Sequence, residues 1–190
     1  MIPVSRPRLV SLQVGRPREF GDGDPRMTSI FKTPVDEAIM LAATNLDGDE
    51  QADLTVHGGI DKAVCVYSAD HYQAWRDELN NPLMDAGAFG ENFTVSGQTE
   101  LDVCIGDVYQ VDEAIVVVSQ PRSPCWKLAR RWETPDLPRR VLQSGRTGWY
   151  LRVSQPGHVH AGAVLELLER PNPAWTITYA NEVLYGIRRS

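Results

Sequence analysis

The chain is divided into many short apolar segments, and glycine, proline or aspartate interrupts nearly every one of them. The 190 residues include 15 glycines and 13 prolines, which favour turns over long helices. Segments such as Leu9–Val14, Ala63–Tyr67 and Ile115–Ser119 have the length and composition of strands. The sequence therefore predicts a mainly β, α+β fold: a curved, mostly antiparallel sheet or barrel with helices attached.

The same pattern predicts how several of the remaining segments are arranged. Trp149–Ser154 and Ala163–Leu168 are expected to form a hairpin across residues 157–162, and Gly21–Pro25 is expected to be a polar turn. Further strands are predicted at Ser29–Val35, Ala38–Ala43, Leu54–His57, Phe93–Val95 and Val103–Val111.

Helical patterns are few. Ser68 can cap a helix that continues to Leu79, with Tyr72 and Trp75 at helical spacing. Residues 125–132 predict a second, short helix, and residues 174–184 predict an amphipathic one. We interpret residues 1–170 as one domain and residues 171–190 as a C-terminal helical appendage.

Composition excludes several classes of function. The net charge is −6 and the pI is about 5.2, which argues against nucleic-acid binding. We expect a cytoplasmic protein without membrane association, because no apolar run is long enough to span a bilayer and the first 14 residues lack the apolar stretch of a secretion signal. The three cysteines, Cys65, Cys104 and Cys125, form no CxxC pair and are expected to be reduced.

The segment Ser-Gln-Pro-Arg-Ser-Pro-Cys-Trp-Lys-Leu (119–128) is the most unusual in the chain. Two prolines restrict the backbone before Cys125, which then begins the predicted helix near Arg122 and Lys127. That setting favours the thiolate, the form that attacks electrophiles or binds soft metals. Alternatively, Cys125 is a small buried apolar residue after a rigid turn. Cys65 and Cys104 lie in apolar strand patterns and are expected to be buried and inert.

A second polar segment, residues 56–64, places two glycines after a predicted strand. The amides of Gly58 and Gly59 could approach an anion, with His57 and Lys62 supplying donors or charge. The alternative is a glycine turn with a hydrogen-bonded histidine. Lys32, in an otherwise apolar strand, either faces solvent or reaches an anion.

Other polar segments have simpler interpretations. The Glu91-Asn92 pair either presents an amide to a ligand or makes a turn. His158 and His160 alternate along one strand and are interpreted as a solvated hairpin rather than a metal pair. The arginine pairs at 130–131 and 139–140 are interpreted as solvated faces or a partner surface.

Taken in order, these segments are more specific than any one of them alone. They read Ser-Ile-Phe-Lys-Thr-Pro-Val (29–35), Val-His-Gly-Gly-Ile-Asp-Lys-Ala-Val (56–64), Ala-Phe-Gly-Glu-Asn-Phe (88–93), Ile-Gly-Asp (105–107), the cysteine segment (119–128) and Arg-Thr-Gly-Trp-Tyr (146–150). This order resembles the MOSC family, named for the C-terminal domain of molybdenum cofactor sulfurases. It is most similar to free-standing bacterial members that reduce N-hydroxylated purines, over residues 9–169.

The resemblance implies a MOSC-type β-barrel that binds the molybdenum–molybdopterin cofactor, with Cys125 as the molybdenum ligand. In this interpretation Lys32, Arg122 and Lys62 neutralise the cofactor phosphate. The amides of Gly58 and Gly59 assist them, and His57 and Asn92 line the site. Residues 173–181 resemble the first helix of a three-helix domain found after the barrel in related proteins, so 171–190 is interpreted as a remnant of that domain.

The implied reaction is the two-electron reduction of N–OH to N–H in an N-hydroxylated purine or related small molecule. His57 is the candidate proton donor, because an ordinary histidine titrates near neutral pH. A separate flavin or iron–sulfur reductase would supply electrons, and a second copy of the chain is a further candidate partner. Two alternatives stay open: a non-enzymatic carrier that delivers cofactor or sulfur, and a cysteine hydrolase that uses Cys125 with His57.

Overall fold

We describe the fold from a computed structural model, over residues 6–55 and 57–186. The described residues form twelve strands and four helices. The strands are β1 (Arg8–Val14), β2 (Arg18–Gly21), β3 (Asp24–Thr28), β4 (Thr33–Pro34), β5 (Ile39–Leu41), β6 (Val64–Ser68), β7 (Phe93–Ser96), β8 (Val108–Val111), β9 (Ala114–Pro121), β10 (Trp149–Gln155), β11 (Gly157–Val159) and β12 (Leu165–Glu169). The helices are α1 (Tyr72–Leu79), α2 (Trp126–Arg131), α3 (Leu137–Ser144) and α4 (Ile177–Tyr185).

Eight strands form one curled sheet in the order β12-β8-β9-β10-β6-β7-β1-β4. The neighbouring strands are antiparallel except β6 and β7, which run parallel. The sheet curls back on itself, and two backbone hydrogen bonds join β1 to the chain at the start of β12. The Leu9 amide donates to the Ala163 carbonyl at 2.9 Å, and the Leu165 amide donates to the Pro7 carbonyl at 2.9 Å. This closure produces the predicted barrel-like, α+β architecture.

Two apolar clusters stabilise the structure. The larger cluster fills the curled sheet and includes Leu12, Val66 and Val116, none of which is exposed to solvent. The second joins α1, α2 and α3 to the outside of the sheet around Trp75 and Phe89. The segment that carries Cys125 runs from β9 to α2, so it connects the sheet to the helices.

Several local predictions differ from the structure. The predicted strand over Leu54–His57 is wrong at its described positions: Leu54 and Thr55 form a turn, in which the Asp53 carboxylate accepts a hydrogen bond from the Thr55 amide at 3.0 Å. Val56 lies outside the described residues. The predicted strand over Val103–Val111 forms only at Val108–Val111.

The predicted hairpin between Trp149–Ser154 and Ala163–Leu168 is also wrong. β10 pairs with β9 and β6 instead, and β12 pairs with β8. The intervening residues are not a simple turn, because they form β11 and pair with β5 far away in the sequence. The sequence analysis also missed α3, whose arginines Arg139 and Arg140 both pair with Asp136 at the start of that helix.

The helical predictions at the other three positions are confirmed. A short 3₁₀ turn (Ala69–His71) precedes α1, and the Ser68 hydroxyl accepts a hydrogen bond from the Asp70 amide at 3.3 Å, as expected of a cap. Across residues 6–55 and 57–186, none of the helices has the length and apolar character needed to cross a lipid bilayer.

Candidate functional site

The proline-rich segment before α2 is joined at its start to the beginning of β10 and to the residue before it. Pro121 pairs with Trp149 at the end of β9, and the Arg122 amide donates to the Gly148 carbonyl at 3.1 Å. Cys125 is the residue immediately before α2, and its carbonyl accepts the Leu128 amide at 3.2 Å. The cysteine is therefore placed at the start of a helix, as the sequence predicts, and it is partly exposed.

Cys125 lies between two connected lobes of one cavity. The inner lobe has a volume of about 90 Å³, and the outer lobe has a volume of about 600 Å³. Both lobes are lined by His57, Lys62, Ser123, Cys125, Lys127 and Tyr150. The outer lobe therefore provides most of the space for a ligand, and the inner lobe has room for a small group.

Arg122 projects into the inner lobe although it is only 6% exposed. Its Nη2 donates to the Phe89 carbonyl at 2.5 Å, while the buried Nη1 has no hydrogen-bond partner among the described residues. Lys127, which is 9% exposed, lines both lobes. Within residues 6–55 and 57–186 neither cation is at ion-pair distance from a carboxylate, although Glu91 interacts electrostatically with Arg122 and Asp53 with Lys127. Buried cations without carboxylate partners are costly, so this pair indicates an anionic ligand.

Lys32 also lines the inner lobe, but its charge is compensated. Its ammonium group forms a buried ion pair with Asp49. The Asp49 carboxylate also accepts the Gly15 amide at 2.8 Å and the Asn92 side-chain amide at 3.0 Å. Of the two alternatives for Lys32, solvent or an anion, the structure shows the second: the anion that it reaches is the Asp49 carboxylate.

Asn92 lines the inner lobe with all of its polar atoms bonded within the protein. Its side-chain amide donates to the Gln13 carbonyl at 3.2 Å as well as to Asp49, and its carbonyl oxygen accepts the Cys65 amide at 3.1 Å. Neighbouring Glu91 is fully buried and accepts the amides of Gly87 at 2.7 Å and Phe89 at 3.1 Å. This segment therefore builds the wall of the cavity.

His57 lies at the boundary between the lobes, close to several positive charges. Burial lowers the pKa of His57 from 6.5 to about 4, and Lys127, Lys62 and Arg122 contribute to the decrease. The imidazole is therefore neutral at pH 7 in this environment. The argument that His57 donates a proton because its pKa is near neutral is wrong for the protein without a ligand, since burial and the surrounding cations disfavour the imidazolium.

The glycine pair beside His57 has the backbone geometry that only glycine adopts readily. Gly58 has φ +79°, and a Cβ at this position would lie 2.8 Å from Oε1 of Gln51, which lines the same lobe. Gly59 precedes a 3₁₀ turn (Ile60–Lys62) and lies outside the residues that line the two lobes in the described part of the chain. Lys62, at the end of that turn, has its ammonium 5.9 Å from the centre of the Tyr150 ring.

Sequence reasoning did not assign Asp49, Gln51 or Tyr150 to the site, and it named Lys127 only as a positive charge near Cys125. Burial raises the pKa of Tyr150 far above its usual value, so its hydroxyl stays protonated and can donate a hydrogen bond into the cavity. Tyr150 ends the Arg-Thr-Gly-Trp-Tyr segment, and Lys127 follows the cysteine by two residues, so both lie in segments that the sequence had already marked. No comparable local signal marks Asp49 or Gln51.

The other candidate residues are not brought to the cavity as reactive groups. Cys65 lines the inner lobe but is buried, and burial raises its pKa to about 11. Burial likewise raises the pKa of Cys104, which is close to Asp107. His158 and His160 lie on the surface and pair separately with Glu113 at 3.1 Å and Asp112 at 2.7 Å.

Comparison with known proteins gives the family. Residues 53–166, more than half of the chain, match the model of the MOSC domain. The chain belongs to the MOSC domain family. It is 49% identical over 178 residues to the Bacillus subtilis (strain 168) protein YflK, in an alignment that covers 93% of this chain and 80% of YflK.

Two further relatives indicate which members of the MOSC family this protein is most similar to. The crystal structure of YiiM from Geobacillus stearothermophilus aligns with a TM-score of 0.79 and 40% identity, covering 94% of this chain and 84% of YiiM. A Gibberella moniliformis protein named "Reductase" is 38% identical over 180 residues, which cover 93% of this chain but 32% of that protein. The MOSC-type α+β fold is thus confirmed, and the chain groups with YiiM-like members.

Proposed function

We propose that this MOSC protein binds the molybdenum–molybdopterin cofactor and reduces N-hydroxylated purines or related N-hydroxylated compounds. MOSC domains as a family are associated with this cofactor, and a relative that shares this domain is named as a reductase. The observation that carries the proposal is the pair of buried cations, Arg122 and Lys127, that converge on the cavity beside Cys125 without carboxylate partners among the described residues.

The residues that line the two lobes fit an anionic cofactor. Molybdopterin carries a phosphate, and the unpartnered Nη1 of Arg122 is a buried donor with unused hydrogen-bonding capacity. Lys127 and Lys62 add positive charge, while Gln51 and the Gly58 backbone can contact polar groups of the pterin. Lys32 contributes through its pair with Asp49, which orders this wall and does not supply an uncompensated charge.

Cys125 would hold the metal through its thiolate. A soft thiolate suits molybdenum that already has sulfur ligands. Among the described residues, no group of three or more His, Cys, Asp or Glu side chains could hold a metal ion. A single protein ligand therefore fits a metal whose other ligands come from an organic cofactor.

The net reaction is R–NHOH + 2e⁻ + 2H⁺ → R–NH₂ + H₂O: the N–O bond breaks, nitrogen is reduced and the oxygen leaves as water. The bound cofactor would supply the two-electron chemistry, and a separate flavin or iron–sulfur protein would deliver the electrons. Substrate would enter through the outer lobe, whose rim includes Arg26, Asp53 and Gln120.

His57 would act at the N–OH oxygen from the boundary of the lobes. Its neutral imidazole can donate or accept a hydrogen bond there. An anion bound among Arg122, Lys62 and Lys127 would offset the positive charges that now lower the pKa of His57, and would return it toward a value suited to proton transfer.

The direct test is the molybdenum and pterin content of protein purified from cells that make the cofactor. We expect about one molybdenum per chain in the unmodified protein and a large loss in Cys125→Ser. Cys104→Ser is the matched control, because Cys104 lies outside the cavity, and it should keep the metal. Full metal retention in Cys125→Ser would rule out the cysteine ligand.

A second experiment tests the substrate. The loaded protein, supplied with a flavin or iron–sulfur reductase, should convert N-hydroxylaminopurine to the aminopurine. Arg122→Gln should lower cofactor content, because it removes the buried charge. Bound molybdenum with no turnover would contradict the reductase assignment and favour the carrier that the sequence left open.

A further inference from the structure

The C-terminal helix α4 contacts the cysteine segment through one face. Asn181 and Tyr185 are four residues apart and therefore lie on the same side of the helix. The Asn181 side-chain amide donates to the Thr147 hydroxyl at 2.9 Å, and the Tyr185 hydroxyl is hydrogen-bonded to the Ser123 hydroxyl.

One of these contacts reaches the cysteine segment directly at Ser123, and the other reaches it through Thr147 and Gly148. Thr147 donates to the Gly148 carbonyl at 3.0 Å, and that carbonyl also accepts the Arg122 amide at 3.1 Å. Ser123 lies between Arg122 and the Pro124-Cys125 pair, and it lines both lobes of the cavity. One helix face therefore touches Thr147, two residues before β10, and also the cysteine segment itself.

α4 is itself firmly attached to the barrel. The Ile177 amide donates to the Val103 carbonyl at 2.8 Å, and the Thr178 amide donates to the Glu100 carbonyl at 2.9 Å. Ile177 is fully buried in the cluster that fills the curled sheet. The Thr176 hydroxyl caps the helix by accepting the Tyr179 amide at 3.1 Å. Tyr185 thus extends from an anchored element.

The cysteine segment depends on such a contact because it has few backbone bonds of its own. Pro121 and Pro124 carry no N–H group, so neither can donate to a neighbouring strand. A side-chain contact at Ser123 therefore restricts residues that the backbone ladder does not hold.

We propose that Tyr185 is a positioning residue that fixes Ser123, and through it the orientation of Cys125 toward the cavity, so that α4 is part of the site. The inference deepens the proposed function of the same cavity, but it concerns the thiol itself and can be tested in metal-free protein.

The test is the rate at which iodoacetamide alkylates Cys125 in Tyr185→Phe, followed by peptide mass spectrometry. Loss of one hydrogen bond of typical net strength should let the segment open more often and raise the rate about fivefold. Tyr179→Phe is the matched control. It lies on the same helix, is 45% exposed and packs on Trp175, so it should leave the rate unchanged.

Two further measurements separate positioning from general loosening. The buried thiol of Cys65 is an internal reference, and its alkylation should not accelerate in Tyr185→Phe. Ser123→Ala should raise the Cys125 rate to a similar extent, and the double variant should be no faster than either single one.

An unchanged Cys125 rate in Tyr185→Phe would overturn the proposal, as would additive effects in the double variant or equal acceleration at Cys65. This result is independent of the proposed function. If the unmodified protein contains no molybdenum, the cofactor assignment is wrong, but the alkylation rates of Cys125 can still differ between the variants. If those rates do not differ, the positioning role of Tyr185 is wrong, whatever the metal content.

Discussion

Replacing Asp49 with asparagine should be among the most destabilising single changes near the site. The side chains of Lys32 and Asp49 are 6% and 0% exposed, so Asp49→Asn leaves a buried ammonium without a counter-charge. The new side chain also keeps a single acceptor oxygen, so its NH2 group must face either the Gly15 amide or the Asn92 amide, which now donate to separate oxygens of the carboxylate. Breaking a buried pair in this way costs about 3–5 kcal/mol.

Urea denaturation measures this loss directly. The free energy of unfolding of a protein of this size falls by about 2 kcal/mol per molar urea, so the urea concentration at the unfolding midpoint should fall by roughly 1.5–2.5 M. Asp61→Asn is the matched control: Asp61 pairs with Arg152 at 2.6 Å, but the side chains are 56% and 51% exposed. That change should cost less than about 1 kcal/mol.

A double variant distinguishes the charge from the shape of the site. Lys32→Met combined with Asp49→Asn removes the uncompensated ammonium. The double variant should therefore regain more than half of the free energy of unfolding that Asp49→Asn loses. The reasoning is refuted if Asp49→Asn and Asp61→Asn shift the midpoint equally, or if the double variant is as unstable as the sum of its parts. If Asp49→Asn does not fold at all, the double variant still tests the argument.

Three further outcomes are expected. At pH 8, brief iodoacetamide treatment should label Cys125 and spare Cys65, because burial raises the pKa of Cys65 to about 11 and keeps it protonated; mass spectrometry decides this, and equal labelling contradicts it. In metal-free protein the NMR titration of His57 should show no midpoint between pH 8 and pH 5, because burial lowers its pKa to about 4. The unfolded chain takes up this proton below about pH 6.5, so His57 makes stability fall as the pH drops from 6.5 toward 4; a midpoint near 6.5 would refute the burial argument. Finally, Gly148→Ala should lower the melting temperature far more than Gly162→Ala. Both glycines have positive φ, but a Cβ at Gly148 would lie 2.3 Å from the Val66 carbonyl oxygen, whereas the one at Gly162 meets nothing within 4 Å; equal losses would show that backbone strain alone matters.

The main features of the site could be predicted from sequence because short segments encode them. The prolines before Cys125 and the glycines after His57 restrict the backbone within a few residues. Both segments line the cavity that the structure shows, and the cysteine begins a helix as expected. The family resemblance rests on the same segments, and the family match confirms it.

The charge state of the site could not be predicted in the same way. Lys32 is compensated by Asp49, which lies in a loop that carries no motif. The pKa of His57 is lowered because burial removes water from the imidazole and because cations of the cysteine segment, together with Lys62, lie close to it. Each of these properties depends on groups that only the folded chain brings together. The boundary proposed at residue 170 and the cytoplasmic location stay predictions.

The sequence by itself determined the strand-rich architecture, the rigid turns and the chemical types of the residues at the cavity, because these depend on near neighbours along the chain. Only the tertiary structure decided which strands pair, which cation is compensated and which helix reaches the cysteine segment. Asn92 meets Asp49 across 43 positions, and Tyr185 meets Ser123 across 62. Contacts over such distances are selected by how the whole sheet closes, since burial and charge pairing are properties of the assembled core and not of any one segment.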